Sequence, residues 1–103
     1  MPIMQISITP VGTPSTSYSS YVAQACQVPA RRGLKHYVTP MSTVVEADVN
    51  TLWEVAREMH QVTLAGGANR VITNITIEQR NDAFDSMEKR VQAVTNPQPA
   101  PRM

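Results

Sequence analysis

The 103-residue chain has little of several things that usually announce a function. Its one cysteine, Cys26, rules out an internal disulfide and a cysteine-based metal cluster within one chain, and fits a reducing compartment. Charge is scarce and balanced, with nine Lys and Arg against eight Asp and Glu, so there is no basic field to neutralise phosphates. Nucleic acid is therefore not an expected partner. No apolar run approaches the roughly 20 residues needed to cross a bilayer, and MPIMQISITP lacks a positive flank before a long apolar core. A cytoplasmic protein without membrane association is expected.

Catalytic signatures are missing too. There is no Gly-rich nucleotide motif and no Ser/His/Asp arrangement. His36 and His60 lie far apart without ligands at metal spacing, which argues against zinc. A phosphatase of the acylphosphatase kind needs an arginine in the loop after the first strand, where this chain has VGTPSTS. An RNA-binding sheet needs aromatics on its central strands, whereas Trp53 and Phe84 fall in helical patterns. Cys26 falls on an apolar helical face, where a thiol behaves as a small hydrophobe. No reaction type follows, and a non-enzymatic protein is expected.

What is present is a foldable pattern, with 42% hydrophobic residues. A chain this short forms one domain with a modest core, so self-association is a natural way to add buried area. Ile3 to Pro10 alternates as a strand, with Met4, Ile6 and Ile8 on one face. Thr16 or Ser17 can cap a first helix carrying Tyr18, Tyr21, Val22, Ala25 and Cys26, in which Pro29 predicts a kink or an early stop before Gly33. Leu34–Thr39 and Thr43–Ala47 read as a hairpin around Pro40-Met41-Ser42. Asp48 caps a second helix with Leu52, Val55, Ala56, Met59 and Val62 at helical spacing up to Gly66-Gly67. Trp53, beside that stripe, is expected to pack on the core or on a neighbouring subunit.

Arg70–Glu78 alternates as the fourth strand, and a short helix follows from about Ala83 to Val94, with Phe84, Met87, Val91 and Val94 on one stripe. Residues 1–95 then form the domain, and 96–103, NPQPAPRM, a disordered proline-rich tail. The order βαββαβ plus one helix predicts an α+β, ferredoxin-like sandwich: a four-stranded antiparallel sheet with two helices on one face. Its other face would show Ser7, Thr9, Tyr37, Thr39, Val44, Glu46, Asn74 and Thr76 with no helix over it. Such a face is either solvated or packed on a second subunit around a polar recess.

Four blocks, the first strand with VGTPSTSYSSYVAQA, then LKHYVTPMSTVVEAD, LWEVAREMHQ and GANRVITNITIEQR, resemble the small thiamine-binding protein family across most of residues 3–95. YVTPMSTVVEAD is the most specific of them. The resemblance implies a ferredoxin-like homodimer or homotetramer that binds thiamine or its pyrimidine portion, with no assigned reaction and no other cofactor. The chain departs from the family with Ser42 in place of glycine, Asn74 in place of threonine, and Pro29.

An aminopyrimidine offers ring-nitrogen acceptors and an amino donor, and a thiazolium is a cation. A carboxylate beside small hydroxyls and an aromatic ring suits both. Glu46 is the expected acceptor and Tyr37 the expected wall, with Ser7, Thr39, Met41, Thr43 and Asn74 shaping the pocket. The plain alternative for Glu46 is a carboxylate paired with a lysine or arginine, and for the whole assembly an oligomer that binds a different metabolite.

Overall fold

In the computed structural model the chain runs β1 (Ile3–Val11), α1 (Ser15–Arg31), β2 (Lys35–Val38), β3 (Thr43–Glu46), α2 (Val49–Ala65), β4 (Arg70–Glu78) and α3 (Met87–Thr95). The structure describes residues 1–12, 15–82 and 86–95, and the backbone alone for 15–19. The expectations placed on Thr13, Pro14, Phe84 and the 96–103 tail, and on the side chains of Thr16, Ser17 and Tyr18, lie outside the described residues.

The strands form one antiparallel sheet in the order β2-β3-β1-β4, the ferredoxin-like arrangement predicted from the element order. Register fixes the two faces, because directly paired residues share a side of the sheet. Met4 pairs with Val45 and Ile77, Ile6 with Thr43 and Ile75, Ile8 with Thr73, and these face α1 and α2. Met4, Ile6 and Val45 pack there with Val28, Leu52, Val55 and Met59 in one buried cluster. Each fully buried side chain of this size contributes roughly 1.5 to 3 kcal/mol.

The opposite, open face carries Lys35, Glu46, Ile3 and Glu78 in one row across all four strands, then Tyr37, Val44, Gln5 and Thr76, then Ser7 beside Asn74. This face is not helix-free, which corrects the expectation. Met87 of α3 is 3% exposed, and Met87, Arg90 and Val91 share a cavity wall with Tyr37, Val44, Gln5 and Thr76. Ion pairs from Lys35 to Glu88 and from Arg90 to Glu78 tie α3 to β2 and to β4, the two outer strands.

Pro29 does not stop α1 early. It sits in the last helical turn, fully buried, and the helix runs on two residues to Arg31. Gly33, at φ +67°, then closes it: its N–H donates to Ala30 O, and the Leu34 N–H donates to Pro29 O at 3.0 Å. Asp48 caps α2 as expected, its Oδ2 accepting the Thr51 N–H at 3.1 Å. Those bonds to Thr51 hold the Asp48 carboxyl below its ordinary pKa. Trp53 is 55% exposed, so the core reading of that residue does not hold.

Candidate functional site

The sheet is four strands wide at one end and two at the other. β3 pairs with β1 only as far as Ile6, opposite Thr43, while β1 continues to Val11 against β4 alone. β2 and β3 end in a turn, Thr39-Pro40-Met41-Ser42, closed by the Thr39 N–H donating to Ser42 O at 2.8 Å. The Thr39 hydroxyl oxygen accepts the N–H groups of Met41 at 3.3 Å and Ser42 at 3.0 Å. No described non-glycine residue has positive φ, so this turn is held by a threonine side chain and Ser42 needs no glycine-like backbone.

The early end of β3 leaves a notch, and α1 roofs it. The resulting cavity, about 330 Å³, is lined by Ser7, Ile8 and Thr9 of β1, by Val38 to Thr43, by Met59 of α2, and by Val22, Ala25 and Cys26 of α1. Its lining combines apolar residues, Ile6, Ile8, Val22, Ala25, Val38, Met41 and Met59 among them, with the hydroxyl-bearing residues Ser7, Thr9, Thr39, Ser42 and Thr43. Thr43 is 3% exposed, with its Oγ1 3.4 Å from Cys26 Sγ. A second cavity, about 360 Å³, lies between α3 and the open face and is walled by Ile3, Gln5, Tyr37, Val44, Thr76, Met87 and Val91.

The residues singled out from sequence therefore divide. Ser7, Thr39, Met41 and Thr43 meet at the notch, whereas Tyr37 walls the cavity under α3, with Thr39 reaching both. Glu46 and Asn74 line neither. Thr43 and Glu46, three residues apart in a strand, project from opposite faces of the sheet, so one recess on one face does not gather them. Glu46 is nearly buried and its Oε2 lies 3.3 Å from Lys35 Nζ. Lys35 also reaches Glu88, and the hydrogen bond between them, ahead of the one to Glu46, raises the Lys35 pKa and lowers that of Glu88.

Sequence reasoning did not bring Ile8, Thr9 and Cys26 to this cavity, and it marked Ser42 only as a departure from the family. Helical spacing from Val22 was enough to turn Cys26 toward the sheet. What was not readable was where β3 stops, and hence that this helical turn overhangs an opening. His36 Nδ1 is within 2.8 Å of Leu34 O and His60 Nδ1 within 2.6 Å of Thr73 Oγ1, and neither histidine lines either cavity. Among the described residues no three His, Cys, Asp or Glu side chains converge to hold a metal, and no helix is long and apolar enough to cross a membrane.

Fold and cavity together define a small ferredoxin-like domain with a ligand-sized notch at one end of its sheet. Residues 4–95 match the family model described as thiamine-binding protein, and the chain belongs to that family. It is 35% identical over 98 residues to the UPF0045 protein in the glkA 3′ region of Staphylococcus xylosus, covering 91% of this chain and 92% of that one. It is 34% identical over 91 residues to a UPF0045 protein of Methanothermobacter thermautotrophicus, covering 87% and 92%. Protein MJ1052 of Methanocaldococcus jannaschii superposes with a TM-score of 0.83 at 29% identity, over 91% of this chain and 95% of that one. A Thermotoga maritima protein provisionally assigned to thiamine biosynthesis or salvage shares the fold, with a TM-score of 0.79 at 17% identity over 90% and 97%.

Proposed function

We propose that this chain binds thiamine or its aminopyrimidine portion in the notch at the end of β3, without transforming it, as a cytoplasmic homo-oligomer. The observation that carries the reading is the meeting of Ser7, Thr39, Met41 and Thr43 around one cavity of about 330 Å³ in a member of the thiamine-binding family. The volume is at the lower end of the range for small-molecule sites, roughly 300 to 1,000 Å³. A lining of apolar side chains with serines and threonines suits a flat heterocycle whose edge donates and accepts hydrogen bonds. Cys26, the thiol in the cavity wall, faces a threonine hydroxyl, and the lining residues include no histidine or carboxylate to activate it or the serines and threonines beside it. That supports binding over catalysis.

The open face supports self-association. Beyond α3 it presents Thr9, Ile72 and Asn74, with Ile72 43% exposed, and β4 is a nine-residue edge strand. A sister subunit on this side would bury apolar area that a domain this small leaves in water. Calorimetric titration of thiamine and of 4-amino-2-methylpyrimidine into wild type, Thr43→Val and Glu46→Gln tests the site. Thr43→Val keeps the shape and removes one hydroxyl, which weakens binding by roughly 3- to 10-fold, or about 0.5 to 1.5 kcal/mol. Glu46→Gln leaves affinity unchanged, because Glu46 lines neither cavity. Equal affinity in wild type and Thr43→Val removes the notch from consideration, and native mass spectrometry of the purified protein reads subunit number and any co-purified molecule together.

A further inference from the structure

The notch contains a hydrogen-bonding group that belongs to no side chain. In an antiparallel ladder, alternate residues direct both N–H and C=O toward the same neighbouring strand. Thr39 and Ser42 close the β2–β3 turn with a backbone hydrogen bond, so Val44 and Glu46 also direct their backbone groups toward β2. Thr43, Val45 and Ala47 must then direct theirs toward β1. The Ala47 N–H, donating to Pro2 O at 3.3 Å, agrees with this phase. The β1 residues that look toward β3 are therefore Pro2, Met4 and Ile6, and by continuation Ile8 and Pro10.

Met4 and Ile6 meet Val45 and Thr43, but opposite Ile8 β3 has already turned away into the Pro40-Met41 turn. Pro10 brings no N–H to that side. Ile8 alone beyond Ile6 offers a donor and an acceptor on the same edge. Among the described residues no hydrogen bond satisfies either group outside the β1–β4 pairing, in which this phase leaves Ile8 unbonded. Ile8 is 9% exposed and lines the cavity. Buried backbone groups are almost always paired, so a donor–acceptor pair left open at a cavity wall is suited to a ligand.

We infer that the Ile8 backbone reads the ligand, which takes the place of the missing β3 residue. This rests on the reading of the notch as an aminopyrimidine site and adds the means of recognition. The ligand class is a planar heterocycle with a ring nitrogen next to an exocyclic N–H. Its ring nitrogen accepts the Ile8 N–H and its amino group donates to the Ile8 carbonyl, as a paired strand residue would do. The apolar faces of the ring lie against the apolar lining residues, and the serines and threonines of the lining remain for its substituents. Selectivity for the aminopyrimidine edge is then set by this donor–acceptor pair, with the neighbouring hydroxyls adding to affinity.

The test follows backbone amides by NMR in the full chain, with 4-amino-2-methylpyrimidine and its 4-dimethylamino analogue, which keeps the ring nitrogens and loses the donor. The amino compound slows exchange of the Ile8 amide at least about 10-fold and shifts its resonance downfield, and the dimethylamino compound binds at least about 10-fold more weakly by calorimetry. Binding of the amino compound with Ile8 exchange unchanged, or equal binding of both compounds, overturns the inference and leaves the thiamine reading standing. No binding of the amino compound or of thiamine overturns both. Ile8→Pro removes the donor on the side that β4 does not use, and a variant that folds by circular dichroism yet binds with wild-type affinity also overturns the inference.

Discussion

Replacing Met87 with alanine should detach α3 while leaving the rest of the domain folded. Met87 is the buried residue of this nine-residue helix, and Val91 and Val94 are 54% and 79% exposed. A helix of nine residues is not stable alone in water, so what holds α3 is its docking on the sheet. The ion pairs to Lys35 and Glu78 are solvent-exposed on the α3 side and contribute little by themselves. Burial of one methionine contributes roughly 1.5 to 3 kcal/mol, and its loss corresponds to a roughly 10- to 150-fold rise in the opening of α3. Hydrogen exchange resolved by residue measures this directly: amides of 89–95 lose protection in Met87→Ala, while those of Met4, Ile6 and Val55 keep theirs. If α3 stays protected, or if the core amides lose protection with it, the account of α3 as a separately docked element fails. Acid should act in the same direction. The Glu88 pKa is lowered by its hydrogen bond to Lys35, so the stability it contributes is present above the ordinary carboxylate pKa and is lost as pH falls through the lowered one.

Asp48→Ala removes the cap of α2 and should lower the melting temperature by several degrees at neutral pH. The difference from wild type should vanish as pH falls through the lowered Asp48 pKa, because the wild-type carboxylate is then protonated, and thermal melts from pH 7 down to pH 2 check this. Gly33→Ala forces a side chain onto a positive φ at the end of α1 and should cost about 1 kcal/mol in urea unfolding, even though nothing lies within 4 Å of an added Cβ. Ile72→Lys places a charge on the open face without touching the core. It should leave the circular dichroism spectrum unchanged and lower the subunit number seen by native mass spectrometry.

The fold was legible because each element carries its own signal. Alternation in Ile3–Pro10 and Arg70–Glu78 gave the two long central and edge strands, and Asp48 with the Leu52 to Met59 stripe gave α2 almost to the residue. Pro29 was expected to kink α1 or stop it early, whereas the helix runs two residues past it to Arg31 and Gly33 closes it. The third helix was expected but not its resting place. Nothing in one sequence says that Met87 inserts between Arg90–Glu78 and Lys35–Glu88. The candidate site was half legible for a related reason. The period of a strand puts Thr43 and Glu46 on opposite sides, and that much was readable. Their grouping on one recess ignored it, while the meeting of Ser7, Thr39, Met41 and Thr43 depends on the length of β3 relative to β1, which only pairing reveals.

Lys35 is a single ammonium answering to two carboxylates on different elements. Glu46, with 7% of its side chain exposed, has Lys35 as its ion-pair partner, and Glu88 holds α3 through the same nitrogen. Neutralising that nitrogen, as acetylation does, would leave one carboxylate enclosed without a counter-ion and remove one of the two exposed ion pairs on α3, while Met87 keeps that helix docked. The charge balance of a nearly buried carboxylate on β3 therefore rests on one exposed, chemically modifiable side chain of a four-residue outer strand.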